Sequence, residues 1–257
     1  RLERDGVQAE DVTPELVRMR LVKDPAEIAL MRRAAALARI GVMATLGAAA
    51  PGRSQLAIES LGTTAILEAA PELTPGATIG LLQFTTSGPE TSLPHLITTT
   101  RRLGRPDLAI HSRQVAVDGE RAELERTFAV DGMDGETRRV FDAAEEAQLA
   151  AIEAIRPGVP MRDVDAAARR VIRGAGYAEY AIHRTGHGLG IEAHEAPYVR
   201  WDVEDPMEEG MVVSIEPGIY VPGVRGARHS DTVVVTRDGR ETITDAPRGA
   251  DNLTFGR

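Results

Sequence analysis

A chain of 257 residues with 42% apolar side chains is long enough to bury one large core or two small ones. Its formal charge of −9 argues against nucleic acid or an anionic membrane surface as the main partner, and no apolar run approaches the ~20 residues that a membrane-spanning helix needs. The absence of cysteine excludes a disulfide framework and thiolate chemistry and suits a reducing, cytoplasmic setting.

Residues 1–20 are charged and irregular and read as a linker or the remnant of a preceding domain. The first clear element is "KDPAEIALMRRAAALARIGVMATLG". Asp24 is an N-cap, Pro25 stands at the first helical position and Glu27 completes a capping box. Ile28, Met31, Ala35, Ala38 and Val42 then recur at helical spacing. A second helix is expected over "SQLAIESLGTTAILEAA", capped by Ser54.

The same plan recurs downstream. "ETRRVFDAAEEAQLAAIEAIRPGVPMRDVDAAARRVIRGAG" is again helix, Pro-Gly, helix, with Pro157-Gly158 matching Pro51-Gly52. A β-rich stretch follows each helical pair, one holding Ser112 and the other Ser230. This predicts two α-α-β halves about a pseudo-two-fold axis, with equivalent strands facing one cleft. "LAIHSRQVAV" and "AELERTFAV" flank a "DGER" turn and read as a hairpin, and "MVVSIEPGIYV" pairs with "ARHSDTVVVT". The expected fold class is α+β: a curved, mostly antiparallel sheet with helices on its outer face.

The chemistry-bearing residues cluster in these strands and loops. "HRTGHGLGIEAHEAPY" carries His183, His187 and His194, with glycines around His187 that let a ligand approach closely. Glu216 in "SIEPGIY" is a carboxylate inside an apolar run, which is costly unless it is paired or bound to a cation. His95 lies in the loop "TSGPETSLPHL". His111 and His229 each precede a serine, and strand alternation turns them away from Ser112 and Ser230, behind the cleft.

Together these stretches, with "LVKDPAEIALMRRAA" and "EPGIYVPG", resemble the pita-bread metallopeptidases from about Leu21 to Thr236. That family comprises aminopeptidase P, prolidase, methionine aminopeptidase and the metal-free relative creatinase. The motifs are nearest to the aminopeptidase P and prolidase branch. The resemblance implies the duplicated fold over residues 21–257, and a homodimer.

It also implies five ligands for two divalent ions: two aspartates eleven apart on a hairpin, a histidine, and two glutamates. His187 and Glu216 match two of them, and Glu123 stands at the second aspartate. Ser112 stands at the first aspartate and Ser230 at the last glutamate. A neutral hydroxyl substitutes poorly for a carboxylate on a hard cation.

The leading expectation is therefore a metal-independent, creatinase-like hydrolase, lyase or cyclase. It would act by acid/base catalysis on a small polar, C–N-containing or dipeptide-like substrate, without a cofactor. His95, His194, His187, Glu216 and Glu123 would be its catalytic groups. Arg228, Ser112, Ser230, His183 and Tyr220 would contact substrate. The alternatives are a mononuclear Xaa-Pro aminopeptidase or dipeptidase, with a single Zn or Mn on Glu123, His187 and Glu216, and a catalytically dead binding module.

Overall fold

The computed structural model describes residues 10–256. Part of the expected linker, residues 1–9, lies outside the described residues. The rest is not irregular as expected: Thr13–Leu21 form helix α1. Among the described residues no helix is long and apolar enough to cross a membrane.

Helix α2 (Pro25–Gly47) starts at the expected capping box. Asp24 accepts from the Ala26 and Glu27 amides at 2.7 and 2.9 Å, and Glu27 accepts from the Asp24 amide at 2.7 Å. Ser54 caps α3 (Gln55–Leu73) by accepting from the Ala57 amide. The buried face of α2 is rich in alanine, so its backbone lies close to the sheet. Helix α2 covers β2 (Asp107–Val117) and β3 (Glu120–Val130), β1 (Ile79–Ser87) extends the sheet beyond β2, and α3 lies against α2 and β1. Asp118 and Gly119 join β2 to β3 with φ of 50° and 98°, both in the left-handed region that a two-residue type I′ turn requires.

The second half repeats the plan. Helices α4 (Gly135–Ala154) and α5 (Met161–Gly174) pack over the strands β6 (Val212–Ile215) and β9 (Ser230–Thr236), forming a separate apolar core. Strands β4 (Gly186–Gly188) and β5 (Glu195–Val199) complete this side. The strand order is β1-β2-β3-β9-β6-β4-β5, antiparallel throughout this path. The fold class is the expected α+β arrangement.

Among the described residues the β3–β9 ladder that joins the two halves has two residue pairs, Leu124↔Asp231 and Glu125↔Ser230. The expected pairing of the two C-terminal runs is divided. Pro217 offers no N–H to a ladder, and beyond it the chain leaves β6 to form β7 (Gly218–Val221). β7 pairs with β8 (Arg225–Arg228) as a separate two-stranded sheet, and only β9 returns to β6.

His111 and His229 lie behind the cleft, as strand alternation implies. His111 bonds through Nδ1 to Thr85 Oγ1 at 2.8 Å and accepts from Arg113 Nε at 3.3 Å. Arg113 is buried under α2 and α3, where glycines make room for it: a Cβ on Gly62 would lie 2.6 Å from its Nη2. His229 is buried edge-on to Phe141 of α4, with ring centroids 4.8 Å apart.

Candidate metal centre and its cleft

Alternation along β3 turns Glu123, Glu125 and Thr127 to one face, the concave face of the sheet. Ser112 stands directly across from Glu125 on one side, and Ser230 directly across from it on the other. Thus the two serines at the expected carboxylate positions flank a third carboxylate in the same row. The Ser230 hydroxyl is engaged with Ser214 Oγ at 2.5 Å, while Ser112 borders the cleft.

Strand β4 delivers His187 between two glycines that no other residue could replace without moving backbone. A Cβ on Gly186 would meet the Ser214 carbonyl oxygen at 2.2 Å, and one on Gly188 the Ala196 carbonyl oxygen at 2.4 Å. His187 Nδ1–H donates to the Gly188 carbonyl at 2.9 Å, which aims Nε2 into the cleft. There Nε2 lies 3.3 Å from Glu216 Oε1 and 3.5 Å from Glu123 Oε2. Both distances give strong charge attraction, but neither is a well-formed hydrogen bond, and among the described residues Nε2 and Glu123 Oε2 are buried without a hydrogen-bonding partner. Burial opposes a charge on this imidazole, but the two carboxylates outweigh it and raise its pKa to about 10. Burial also opposes the Glu216 charge, yet His187 and then Arg228 hold its carboxyl well below the usual range.

One ligand atom from each of Glu123, His187 and Glu216 lies within 4.8 Å of the others. An imidazole and two carboxylates, buried and converging with unpartnered donor atoms, fit one divalent ion with room for a further ligand. They do not fit two. Ser112 and Ser230 bring no charge, and Glu125 is committed to Arg228, whose Nε and Nη2 donate to its two oxygens at 2.5 and 2.7 Å.

Arg228 is braced further. Its Nη1 donates to Tyr220 Oη at 3.1 Å, and Tyr220 donates to His183 Nε2 at 2.9 Å. His183 Nδ1–H is committed to the Arg184 carbonyl at 2.7 Å, which fixes that tautomer. Tyr220 and His183, expected to contact substrate, thus form a hydrogen-bonded chain to Arg228, and His183 also lines the cleft. The ring centroids of His194 lie 4.0 Å from His187 and 6.1 Å from His95. Burial lowers the pKa of both His95 and His194, with the next contribution from Arg228 at His95 and from His187 at His194.

The cleft thus gathers His95, His187, His194, Glu123, Glu216 and Arg228. Sequence reasoning missed Glu125, although a carboxylate between Leu124 and Arg126 in a buried strand carries the same signal as Glu216. It also missed Arg184. Two cavities meet at His95, His194, Glu216 and Arg228. The first, about 190 Å³, adds Pro94, Ile182, His183 and Arg184. The second, about 240 Å³, is more apolar and adds Leu82, Phe84, Leu96 and Ile97 beside Ser112, Gln114 and Glu123.

Residues 29–237 match the family described as "Metallopeptidase family M24". Among curated relatives, a putative dipeptidase of Bacillus subtilis (strain 168) is 36% identical over 95% of this chain and 66% of its own length. An Xaa-Pro dipeptidase of Pyrococcus furiosus is 31% identical over 90% of this chain and 65% of its own. The chain therefore spans just under two thirds of the length of these relatives. Among solved structures, prolidase from Pyrococcus furiosus superposes with a TM-score of 0.87 at 30% identity, covering 93% of this chain and 69% of that one. Dipeptidase PepE from Mycobacterium ulcerans gives 0.88 at 33%, covering 99% and 67%.

These relatives overturn the leading expectation of a metal-independent, creatinase-like enzyme acting on a small C–N compound. They carry the names of dipeptidases and prolidases. The physical reason lies in the row Ser112–Glu125–Ser230: both lost carboxylates fall on the Glu125 side, and the three remaining donors still converge. With fold, motifs and relatives in agreement, the chain belongs to metallopeptidase family M24.

Proposed function

We propose that this chain is a metal-dependent dipeptidase that hydrolyses Xaa-Pro-type dipeptides, with a single divalent ion, Zn or Mn, held by Glu123, His187 and Glu216. The observation that carries this reading is the convergence of one imidazole and two carboxylates within 4.8 Å, with two of the donor atoms buried and unpartnered. The names of the relatives support it.

A divalent ion bound there supplies Lewis-acid polarisation of the scissile carbonyl. The two carboxylates carry the charge that offsets it. His187 presents Nε2 because its Nδ1–H is already spent on the Gly188 carbonyl. His95 and His194, held below the ordinary histidine pKa, are neutral near pH 7, so each has one N–H to give and one nitrogen to accept with. His194, beside His187, donates to the carbonyl oxygen as negative charge develops on it. His95, farther out, accepts a proton from the water that attacks the carbonyl carbon and then passes it to the amine as the C–N bond breaks, so that it ends neutral.

Metal analysis and turnover test the reading together. Protein purified without chelator is expected to carry about one ion per chain. It should release proline from Ala-Pro, lose that activity in EDTA and regain it with Mn²⁺ or Zn²⁺. Turnover that persists in rigorously ion-free protein, or no proline release with either ion, would overturn it.

A further inference from the structure

His95 lies on a short strap, residues 93–97, whose Leu93 and Ile97 side chains are exposed. Both ends of the strap are tied down. At one end Thr91 Oγ1 accepts from the Gly226 amide at 2.8 Å, and Ser92 Oγ accepts from the Gly223 amide at 3.2 Å. At the other end Gln55 and Glu59, one turn apart on α3, hold Thr99 and Thr98. Thr99 gives both its amide and its hydroxyl to Gln55 Oε1, each at 2.9 Å. Thr98 Oγ1 accepts from the Thr85 amide at 2.7 Å and donates to Glu59 Oε2. Between the ties, the strap's own backbone bonds run from the Leu93 amide to Glu90 and from the Leu96 amide to Leu93, at 3.0 and 3.4 Å.

The direction of every bond behind Thr98 is fixed. Arg113 Nε can only donate, so His111 Nε2 accepts and Nδ1 carries the proton. His111 Nδ1–H therefore donates to Thr85 Oγ1, and the Thr85 hydroxyl donates to Glu59 Oε2 at 3.1 Å. One buried carboxylate oxygen thus collects a hydroxyl from the strap and a hydroxyl from β1. The chain behind it starts on the buried Arg113 guanidinium. We propose that Thr98 and Glu59 are positioning residues for His95; this rests on the dipeptidase reading above and on the proton transfer given there to His95. Thr98 fixes the strap three residues beyond the imidazole and so keeps the ring within reach of the departing amine. Arg113, His111 and Thr85 hold Glu59 in the rotamer that receives Thr98. His111, which lies behind the sheet, acts on the cleft through this chain.

The test is a double-variant cycle on the full chain loaded with Mn²⁺, with Ala-Pro as substrate. Thr98→Val keeps the shape of the side chain and loses the hydroxyl. It is expected to lower kcat about 10- to 100-fold, as a misplaced catalytic group does, with KM and Mn²⁺ content unchanged. In a His95→Ala background the same change should have no further effect, because nothing is left to position. Glu59→Ala should lose kcat as Thr98→Val does. Glu59→Gln should recover part of it, because a carboxamide oxygen still accepts from both hydroxyls. An unchanged kcat in Thr98→Val overturns the proposal. So does a loss carried by KM or by ion content, or one that repeats in full in the His95→Ala background. If the wild-type protein leaves Ala-Pro intact, the dipeptidase reading fails, and amide hydrogen exchange decides the anchoring separately. Exchange at Leu96 and Thr99 that quickens at least about tenfold in Thr98→Val, with α3 unchanged, supports it. Exchange equal to that of the wild-type protein overturns it.

Discussion

The Arg228 guanidinium spans the Glu125 carboxylate, Nε to Oε2 at 2.5 Å and Nη2 to Oε1 at 2.7 Å, with both side chains buried at the floor of the cleft. Burial pushes the Glu125 carboxyl up, to about 7, against the pull of Arg228. Removing one partner leaves the other as an uncompensated buried charge. Glu125→Gln is expected to cost about 3–5 kcal/mol of unfolding free energy, and Glu125→Thr with Arg228→Met to recover most of it. Urea denaturation of the three proteins checks this; equal losses in single and double variants would contradict it.

Ion stoichiometry should follow the count of carboxylates. Calorimetric titration with Mn²⁺ is expected to show one site in the wild-type protein and none in His187→Ala, which removes one of three donors. The double change Ser112→Asp with Ser230→Glu returns two carboxylates beside Glu125, and a second, weaker site is expected. A single site in that variant would mean that the Arg228–Glu125 pair closes the position even when ligands are present.

His95→Ala should lower kcat by about 10²- to 10⁴-fold, the usual range for a lost proton-transfer group, with little change in ion affinity. Steady-state kinetics and metal titration separate the two effects. An unchanged kcat would remove His95 from the chemistry.

The acid side of the stability profile should report Glu195. Burial opposes its charge, but Lys23 at 2.7 Å, the Glu192 amide at 3.2 Å and Arg20 together hold its pKa below the ordinary value. A lowered carboxylate pKa contributes stability above its unfolded value of about 4.3. That stability is lost as pH falls through the folded value. Glu195→Gln should therefore be less stable by about 1.5–3 kcal/mol near pH 7. The difference should vanish in strong acid. Thermal melts at pH 7 and pH 3 check the sign: a gap that widens at pH 3 would contradict it.

His229 is buried with neither ring nitrogen bonded among the described residues, and burial with the charges of Arg126 and Arg248 holds its pKa well down. An unsatisfied buried polar group costs about 1–3 kcal/mol. His229→Leu is therefore expected to be neutral or stabilising, and a melting temperature lowered by several degrees would show that packing on Phe141 outweighs that cost.

Several of these groups were legible in the sequence and others were not. Asp24, Pro25 and Glu27 announce α2 because a capping box is satisfied within four residues. Asp118-Gly119 announces its hairpin because a type I′ turn needs positive φ at both central positions. Glu123, His187 and Glu216 stood out by residue type in glycine-rich or apolar surroundings. Strand β1 did not, since "TIGLLQFTTS" has no clean alternation and is ordered by its ladder with β2. The consequence of Ser112 and Ser230 was misjudged. Two missing carboxylates suggested an abolished metal site, but their partner in the row, Glu125, lies in a different strand from each.

The sequence by itself determined the helices with their caps, the tight hairpin and the identity of the acid, base and ligand side chains. Each of these depends on neighbours a few residues away. Only the tertiary structure decided which of them share a point in space. Glu123 and His187 come from two strands, β3 and β4, and Glu216 from the break between β6 and β7, while the β3–β9 ladder that joins the two halves of the sheet has two residue pairs among the described residues. The curl at that junction brings the three donors together and sets Arg228 on Glu125. Long-range packing of two separate cores fixes that curl, and no local pattern encodes it.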